Sequence, residues 1–288
     1  MKVLVTGATG YIGSHVCRLL KEHGHYVEAW DINIHQEYND IVGYCDQYFN
    51  YDITKDVRGE FDAVVHLAGR SIVPISMKIP TEYYRVNTMG TANMLDKVKT
   101  PHILFASTSS AWEMASPYAR SKVAAEDVIK EKAAGYTIFR FFNVSGTDGK
   151  NRQLGDPTHL IRVAAMVAAG KRDTISVYGT DYNTRDGTTI RDYVHVVDLA
   201  SAIVKAVETG PTNTPYECLG SNKGWTVLEV LDVMEKVTGK KLNKILSPRR
   251  EGDAVSSVVD QLSTFIKLEK TIEDMCFDQY MLERSKNG

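Results

Sequence analysis

Tyr118 and Lys122 stand four positions apart in the run Tyr118-Ala119-Arg120-Ser121-Lys122. Residues i and i+4 share one face of a helix, so the Lys122 ammonium can lie beside the Tyr118 phenol. A neighbouring cation favours phenolate and lowers a tyrosine from its usual value of about 10; the positive ring of an oxidised nicotinamide acts in the same direction. Such a tyrosine is a usable base for taking a hydroxyl proton while hydride leaves the same carbon. Upstream, Ser107-Thr108-Ser109-Ser110 gathers hydroxyls at the end of an apolar run. One of them would hydrogen-bond the substrate oxygen or share its proton with Tyr118. Position favours Thr108, with Ser109 as the alternative, and the remaining hydroxyls read as strand-end caps.

Hydride chemistry needs an acceptor. Thr6-Gly7-Ala8-Thr9-Gly10-Tyr11-Ile12-Gly13 lies between the apolar run Val3-Leu4-Val5 and a helical stretch. Gly7, Gly10 and Gly13 suit a tight turn, a close approach of backbone to a pyrophosphate, and close packing of helix on strand. The helix start at Tyr11 and Ile12 offers N–H groups and a partial positive charge to the same pyrophosphate. Asp31, 18 positions after Gly13, would accept hydrogen bonds from both ribose hydroxyls and repel a 2′-phosphate. Ile32 and Asn33 follow, where an NADP-binding chain would often place an arginine, so NAD is favoured. Asp52-Ile53 is placed to meet an adenine, and Leu67-Ala68-Gly69 puts small residues where a flat cofactor must pass.

The elements that must position these groups follow from hydrophobic periodicity. Strands are expected over 3–5, 26–30, 48–51, 63–67, 102–106 and 137–141, and helices over 14–22, 81–98 and 118–134. Strand–helix alternation implies a parallel sheet covered on both faces. Right-handed crossovers then give an α/β, doubly wound Rossmann arrangement. After Asn143 the pattern changes to a polar stretch over 146–157, a helix over 160–169, a strand over 175–178, a loop over 181–189, and helices over 197–208 and 227–237. The expected organisation is a dinucleotide-binding domain over 1–145 carrying the Tyr/Lys helix. A smaller substrate lobe over 146–288 would follow, with some of its segments returning to the sheet.

A net charge of −2 spread over 288 residues argues against nucleic acid or an anionic membrane as partner. Cys17, Cys45, Cys218 and Cys276 have no C-x-x-C spacing and no histidine cluster, so free thiols and no metal are expected. No apolar run approaches the roughly 20 residues of a spanning helix. The strand pattern begins at Met1 with no secretory leader ahead of it, which points to the cytoplasm.

Together the glycine turn, Asp31, Leu67-Ala68-Gly69, Asn87, Thr108 and Tyr118/Lys122 resemble the extended short-chain dehydrogenase/reductase family. The second half narrows the resemblance to the UDP-glucose 4-epimerases. The segments responsible are Arg140–Gly146, Asp181–Thr188, Arg191–Ala200 and Pro248-Arg249-Arg250-Glu251-Gly252-Asp253. The match covers nearly the whole chain. It implies bound NAD, with Asn87 and Lys122 among the cofactor contacts, and a UDP-sugar as substrate. By the same resemblance Asn143, Arg191 and Arg250 hold the diphosphate and Asp253 contacts a ribose. His159, Leu160 and Ser176 meet the nucleotide, and Tyr178 stacks on the uracil. Two arginines suit a diphosphate because each presents a planar fork of donors, although either alone would pass for an ordinary salt bridge. His195 and Asp198 read as structural. The implied reaction is transient oxidation at C4: Tyr118 takes the 4-hydroxyl proton as hydride passes to NAD. The ketone turns over on its UDP anchor, and hydride returns to the other face. Binding energy is then concentrated on UDP. Such relatives commonly pair as homodimers through two helices per subunit, here 81–98 and 118–134.

The chain also departs from that pattern. Thr108 and Tyr118 are separated by only 10 positions, where the family usually has a much longer loop, and Ala111-Trp112-Glu113 replaces the expected Val-Tyr-Gly. A more open sugar pocket is expected. Ser257 stands where many glucose-only enzymes have a bulky tyrosine, and Ser71 replaces a lysine. Both changes predict that UDP-GlcNAc/UDP-GalNAc is accepted alongside UDP-glucose/UDP-galactose. Two other readings compete. A nucleotide-sugar dehydratase or decarboxylase is one, but a dehydratase would carry an Asp-Glu pair after Thr108, where this chain has Ser109-Ser110. A non-catalytic NAD(H)-binding regulator is the other, and it would have no need of the proton-transfer set.

Overall fold

The structure is a computed structural model that describes residues 1–33, 41–153, 155, 157–250 and 253–285. The chain divides into two compact units, Met1–Phe141 with Ala200–Cys218, and Phe142–Leu199 with Leu219–Gly288.

The first unit is built on a seven-stranded sheet. Its strands are β1 (Lys2–Thr6), β2 (Tyr26–Asp31), β3 (Gln47–Asn50), β4 (Ala63–His66), β5 (Ile103–Thr108) and β6 (Tyr136–Phe141), with Glu217–Leu219 beside β6. The order from one edge is β3-β2-β1-β4-β5-β6, and each of these pairs is parallel. Val3, Leu4 and Val5 of β1 and Ala63, Val64 and Val65 of β4 are buried on both faces, as a doubly wound sheet requires. The order reverses between β1 and β4, the switch point at which open α/β sheets bind ligands beyond the strand ends. Helix α1 (Tyr11–Glu22) buries Val16, Cys17 and Leu20 on the sheet. Helix α2 (Val73–Lys78) is short. Next comes α3, in three continuous parts: an α turn at Pro80–Tyr83, a π segment at Tyr84–Met89, and an α stretch at Gly90–Lys97. Helix α4 (Pro117–Lys132) starts where Ser116 accepts a hydrogen bond from the Ala119 N–H and Pro117 fills the first turn.

The second unit centres on β9 (Ile190–His195). It pairs in parallel with β7 (Asn143–Ser145) and β12 (Ser256–Ser257), and antiparallel with β10 (Gly224–Thr226). A separate parallel pair joins β8 (Ile175–Tyr178) to β11 (Lys244–Ser247). Helices α5 (Leu160–Ala168), α6 (Val227–Thr238) and α7 (Ile272–Ser285) close the core through Ile161, Ala164, Leu231, Met234, Met275 and Tyr280. A capping box, Thr226 with Glu229, starts α6 and left-handed Gly239 ends it.

Candidate functional site

At the switch point of the first unit, β1 runs into the glycine turn. Gly7 has φ +70°, and a Cβ there would lie 2.8 Å from the Ala68 nitrogen; one on Gly13 would lie 2.2 Å from the Gly7 oxygen. Gly7 is therefore required by contact as well as by conformation, and Gly13 by contact alone. Gly10 is the N-cap of α1 and makes no side-chain cap hydrogen bond, and Tyr11 and Ile12 open the helix. This is the backbone cradle a pyrophosphate needs. Asp31 ends β2 beside it, with one carboxylate oxygen accepting from the Thr9 N–H at 3.0 Å and the other from the Asn33 backbone and side chain, both at 3.2 Å. Asp52 accepts from the Thr54 N–H and hydroxyl; burial pushes its carboxyl up, and these bonds more than offset the push. Ile53 turns its side chain toward Gly90 on α3.

Leu67, Ala68 and Gly69 leave the end of β4, with the Leu67 N–H on the Thr6 carbonyl and the Ala68 N–H on the Thr6 hydroxyl. A Cβ on Gly69 would lie 2.9 Å from the Asn87 side-chain oxygen and 3.4 Å from the Lys122 ammonium. Asn87, in the π segment, accepts from the Arg70 N–H and donates to the Arg70 carbonyl and the Ser121 hydroxyl. It therefore braces the chain after Gly69 against α4. Asn87 makes these bonds from within the π segment, a form that is rare in helices and frequent at functional sites.

The residues expected to transfer the proton lie at the end of β5 and on α4. Thr108 ends β5 and accepts from the Ser110 N–H at 3.2 Å. Tyr118 is half-buried in the first turn of α4, with Tyr83 packed edge-on at 6.4 Å. Lys122 is buried, donates to the Ala106 carbonyl at 2.7 Å and sits 4.5 Å over the Phe105 ring. Burial brings the Lys122 ammonium down to about 8, with the Glu126 carboxylate opposing. Burial holds the Tyr118 phenol above its ordinary value; hydrogen bonding to Thr108 opposes the rise and Tyr83 adds to it. The expected lowering of Tyr118 by Lys122 is thus not the state of the chain by itself: burial dominates, and the Lys122 ammonium donates to the Ala106 carbonyl.

Several residues around this set give weak sequence signals. Glu126 follows Lys122 by four positions, is fully buried, and takes a forked ion pair from Arg140 on β6 (3.0 and 2.8 Å) and a 2.5 Å hydrogen bond from Ser107. Its i+4 spacing from Lys122 is the one local clue; its partners come from two other strands.

In the second unit, Arg191 on β9 lies opposite Ser257 on β12 and Trp225 on β10. Its guanidinium is 3.7 Å from the Asp253 carboxylate and donates to the Ile190 carbonyl. Asn143 donates its side-chain N–H to the Asp192 carbonyl. Ser176 and Tyr178 share the less buried face of β8, opposite buried Ile175 and Val177. Arg250 lies over the Tyr178 ring at 3.8 Å; hydrogen bonding to Arg250 and then Ser176 lowers the Tyr178 phenol. His159 is the N-cap of α5 and Leu160 its first residue. Glu251 and Gly252 of the Arg250–Asp253 motif lie outside the described residues.

Much of the remaining second-half motif serves the backbone. His195 accepts from the Val197 N–H, and its ring fills the space beside Gly146. Asp198 accepts from the Glu269 and Lys270 N–H groups. Asp186 takes the Thr188 N–H and hydroxyl, while Arg185 grips Glu229. Among the described residues, no group of three or more histidine, cysteine or acidic side chains could hold a metal ion, and no helix is long and apolar enough to cross a membrane.

Residues 3–218 match the NAD dependent epimerase/dehydratase family. A UDP-glucose 4-epimerase of Bacillus subtilis is 31% identical over 334 residues, covering 100% of this chain and 98% of the relative. Among solved structures, the UDP-glucose-4-epimerase from Stenotrophomonas maltophila with bound NAD and formylated UDP-arabinopyranose superposes with a TM-score of 0.88 at 30% identity, covering 100% of this chain and 99% of that one. The UDP-Glc/GlcNAc 4-epimerase of Campylobacter jejuni gives 0.79 at 28% identity, covering 99% of each chain.

Proposed function

The chain belongs to the NAD dependent epimerase/dehydratase family, and on that premise we propose that it is a UDP-hexose 4-epimerase that interconverts UDP-glucose and UDP-galactose with NAD as resident cofactor. The observation that carries this reading is the retention of Thr108, Tyr118 and buried Lys122 between β5 and α4, next to a glycine cradle that added side chains would fill. NAD, when bound, would supply a hydride acceptor for the C4 hydrogen and, once reduced, a hydride donor for the ketone. Gly7, Gly10, Tyr11, Ile12 and Gly13 take its pyrophosphate. Asp31 and Asn33 take a ribose, Asp52 and Ile53 the adenine end, and Leu67, Ala68, Gly69 and Asn87 line its passage to Lys122.

Tyr118 removes the 4-hydroxyl proton and later gives it back, with Thr108 sharing the hydrogen bond to that oxygen. Lys122, cationic below about pH 8, favours the phenolate that forms. In the second unit Asn143, Arg191 and Arg250 anchor the diphosphate, Asp253 a ribose, and His159, Leu160, Ser176 and Tyr178 the nucleotide. Asp253 and Tyr178 are the groups that Arg191 and Arg250 already face, so each arginine would exchange a contact with protein for one with phosphate. Ser257, half-buried beside Arg191, supports a second activity on UDP-GlcNAc/UDP-GalNAc, the pair named for the Campylobacter jejuni relative. We place the enzyme in the cytoplasm as a homodimer joined through α3 and α4.

Purified protein incubated with each UDP-sugar pair and no added NAD tests this reading. Wild type should interconvert UDP-glucose and UDP-galactose, and Tyr118→Phe should lose at least about 100-fold in kcat. Protein that carries NAD yet converts no pair would instead be the non-catalytic NAD(H)-binding regulator.

A further inference from the structure

The loop from Thr108 to Tyr118 is short, and its only large side chain besides Met114 is Trp112. Trp112 stays 44% exposed, yet it is held on several sides. Its ring packs edge-on to Tyr216 at 5.7 Å and its indole N–H donates to the Tyr216 hydroxyl at 3.3 Å. The Arg140 guanidinium lies 3.9 Å over the Tyr216 ring and 5.1 Å over the Trp112 ring. Cation–ring contacts of this kind contribute most when the cation is desolvated, and Arg140 is 8% exposed.

From the other side Arg140 is fixed by Glu126, two turns along α4 from Tyr118. Glu126 also takes the Ser107 hydroxyl and, at 3.6 Å, the Lys130 ammonium. The Arg140 guanidinium thus touches the loop after Thr108 and the helix that carries Tyr118 and Lys122, and through Glu126 it is tied to Ser107 at the strand end before Thr108. Within the loop and the start of α4, Met114, at φ +49°, donates its N–H to the Ser110 carbonyl and takes Arg120 on its own carbonyl.

We propose that Arg140 is a positioning residue, and that the Trp112–Tyr216 ring pair clamps the short loop onto it, holding Thr108 against Tyr118 where the longer loop of related enzymes is missing. The inference rests on Tyr118 being the base of the proposed reaction. A strand end and a helix start that shift by about 1 Å cost a proton transfer on the order of 100-fold when fully released, so partial release should be visible in rate before it is visible in fold.

Trp112→Ala removes the clamp from its exposed side and leaves the buried Arg140–Glu126 pair intact, and Trp112→Phe keeps a ring for Arg140. Trp112→Ala should lower kcat about tenfold with KM for the UDP-sugar within about twofold, and Trp112→Phe should recover most of it. Both variants should keep the NAD content and Tm of wild type. A substrate-free readout is the ultraviolet ionisation of tyrosine, taken as the difference between each protein and the same protein carrying Tyr118→Phe. A loosened loop relieves the burial that holds Tyr118 high and also weakens the Thr108 hydrogen bond that lowers it; burial is the larger of the two, so the midpoint should fall in Trp112→Ala. An unmoved midpoint overturns the clamp whatever the rates do, and so does a Phe variant no better than the Ala variant. Should wild type turn over no UDP-sugar, the catalytic reading fails and the midpoint alone decides the clamp.

Discussion

Two neighbours decide the proton affinity of Tyr118 in the chain by itself, the Thr108 hydroxyl and the Tyr83 ring, and the burial around them outweighs both. Lys122, which the four-residue spacing puts on the same face, instead donates to the Ala106 carbonyl and points toward Gly69. The lysine's place on the helix is legible because i,i+4 geometry is local. Its direction is not, because the acceptor sits on a strand brought alongside by the fold. Ser257 is the converse case. Its burial depends on a parallel register with β9 that no local pattern announces, while its small size is plain in the sequence. Ser257→Tyr should fill the volume beside Arg191 and remove UDP-GlcNAc/UDP-GalNAc turnover by about 100-fold or more while UDP-glucose/UDP-galactose changes only a few-fold, since an added ring is rejected by sterics alone. Chromatographic assay of both pairs with the same enzyme sample decides it, and equal loss on the two pairs would refute the steric account.

At the scale of elements, β1 and β4 are legible because burial on both faces makes them continuous apolar runs. Strands β7, β10 and β12 have three, three and two residues. They are too short to carry a period and exist through pairing with β9 or its neighbours. The π segment of α3, which carries Asn87, is equally silent in the sequence. Strand β4 ends in a group with its own consequence. His66 is fully buried between the Thr6 and Thr91 hydroxyls at 2.7 and 2.9 Å. Burial first, and Lys122 second, lower its imidazole from 6.5 to about 3. Above the unfolded value both states are neutral and the folded state loses nothing. As pH falls through 6.5 the unfolded chain takes up a proton that the folded chain refuses, so stability is lost with acidification until the folded value is reached. At pH 5 the loss from this one group is about 2 kcal/mol. His66→Gln, which cannot ionise, should remove that part of the difference between urea unfolding at pH 7 and pH 5. An unchanged difference would mean that His66 takes up its proton in the folded state.

For the whole molecule, strand–helix alternation makes most of the first unit readable, while α2 and the strand Glu217–Leu219 escape it. The second unit draws β7, β9, β10 and β12 from segments up to more than a hundred residues apart, and its helices and β8 are the elements that carry a period. Assembly is the level at which the surface decides. On α3 the inward residues Tyr83, Asn87 and Met94 are buried, while Tyr84 is 36% and Met89 64% exposed. A methionine and a tyrosine on the open face of a helix are the kind of residue a subunit contact uses. A twofold interface uses the same patch on both copies, so one substitution enters it twice. Met89→Glu would therefore set two carboxylates into a contact through α3, where desolvation and like charge both oppose association. It should leave the isolated fold intact, since Met89 contributes little to the buried core. Sedimentation velocity at micromolar concentration should show wild type as a dimer and Met89→Glu as a monomer. A variant that stays dimeric would place the contact on another face, and a monomeric wild type would remove the homodimer altogether.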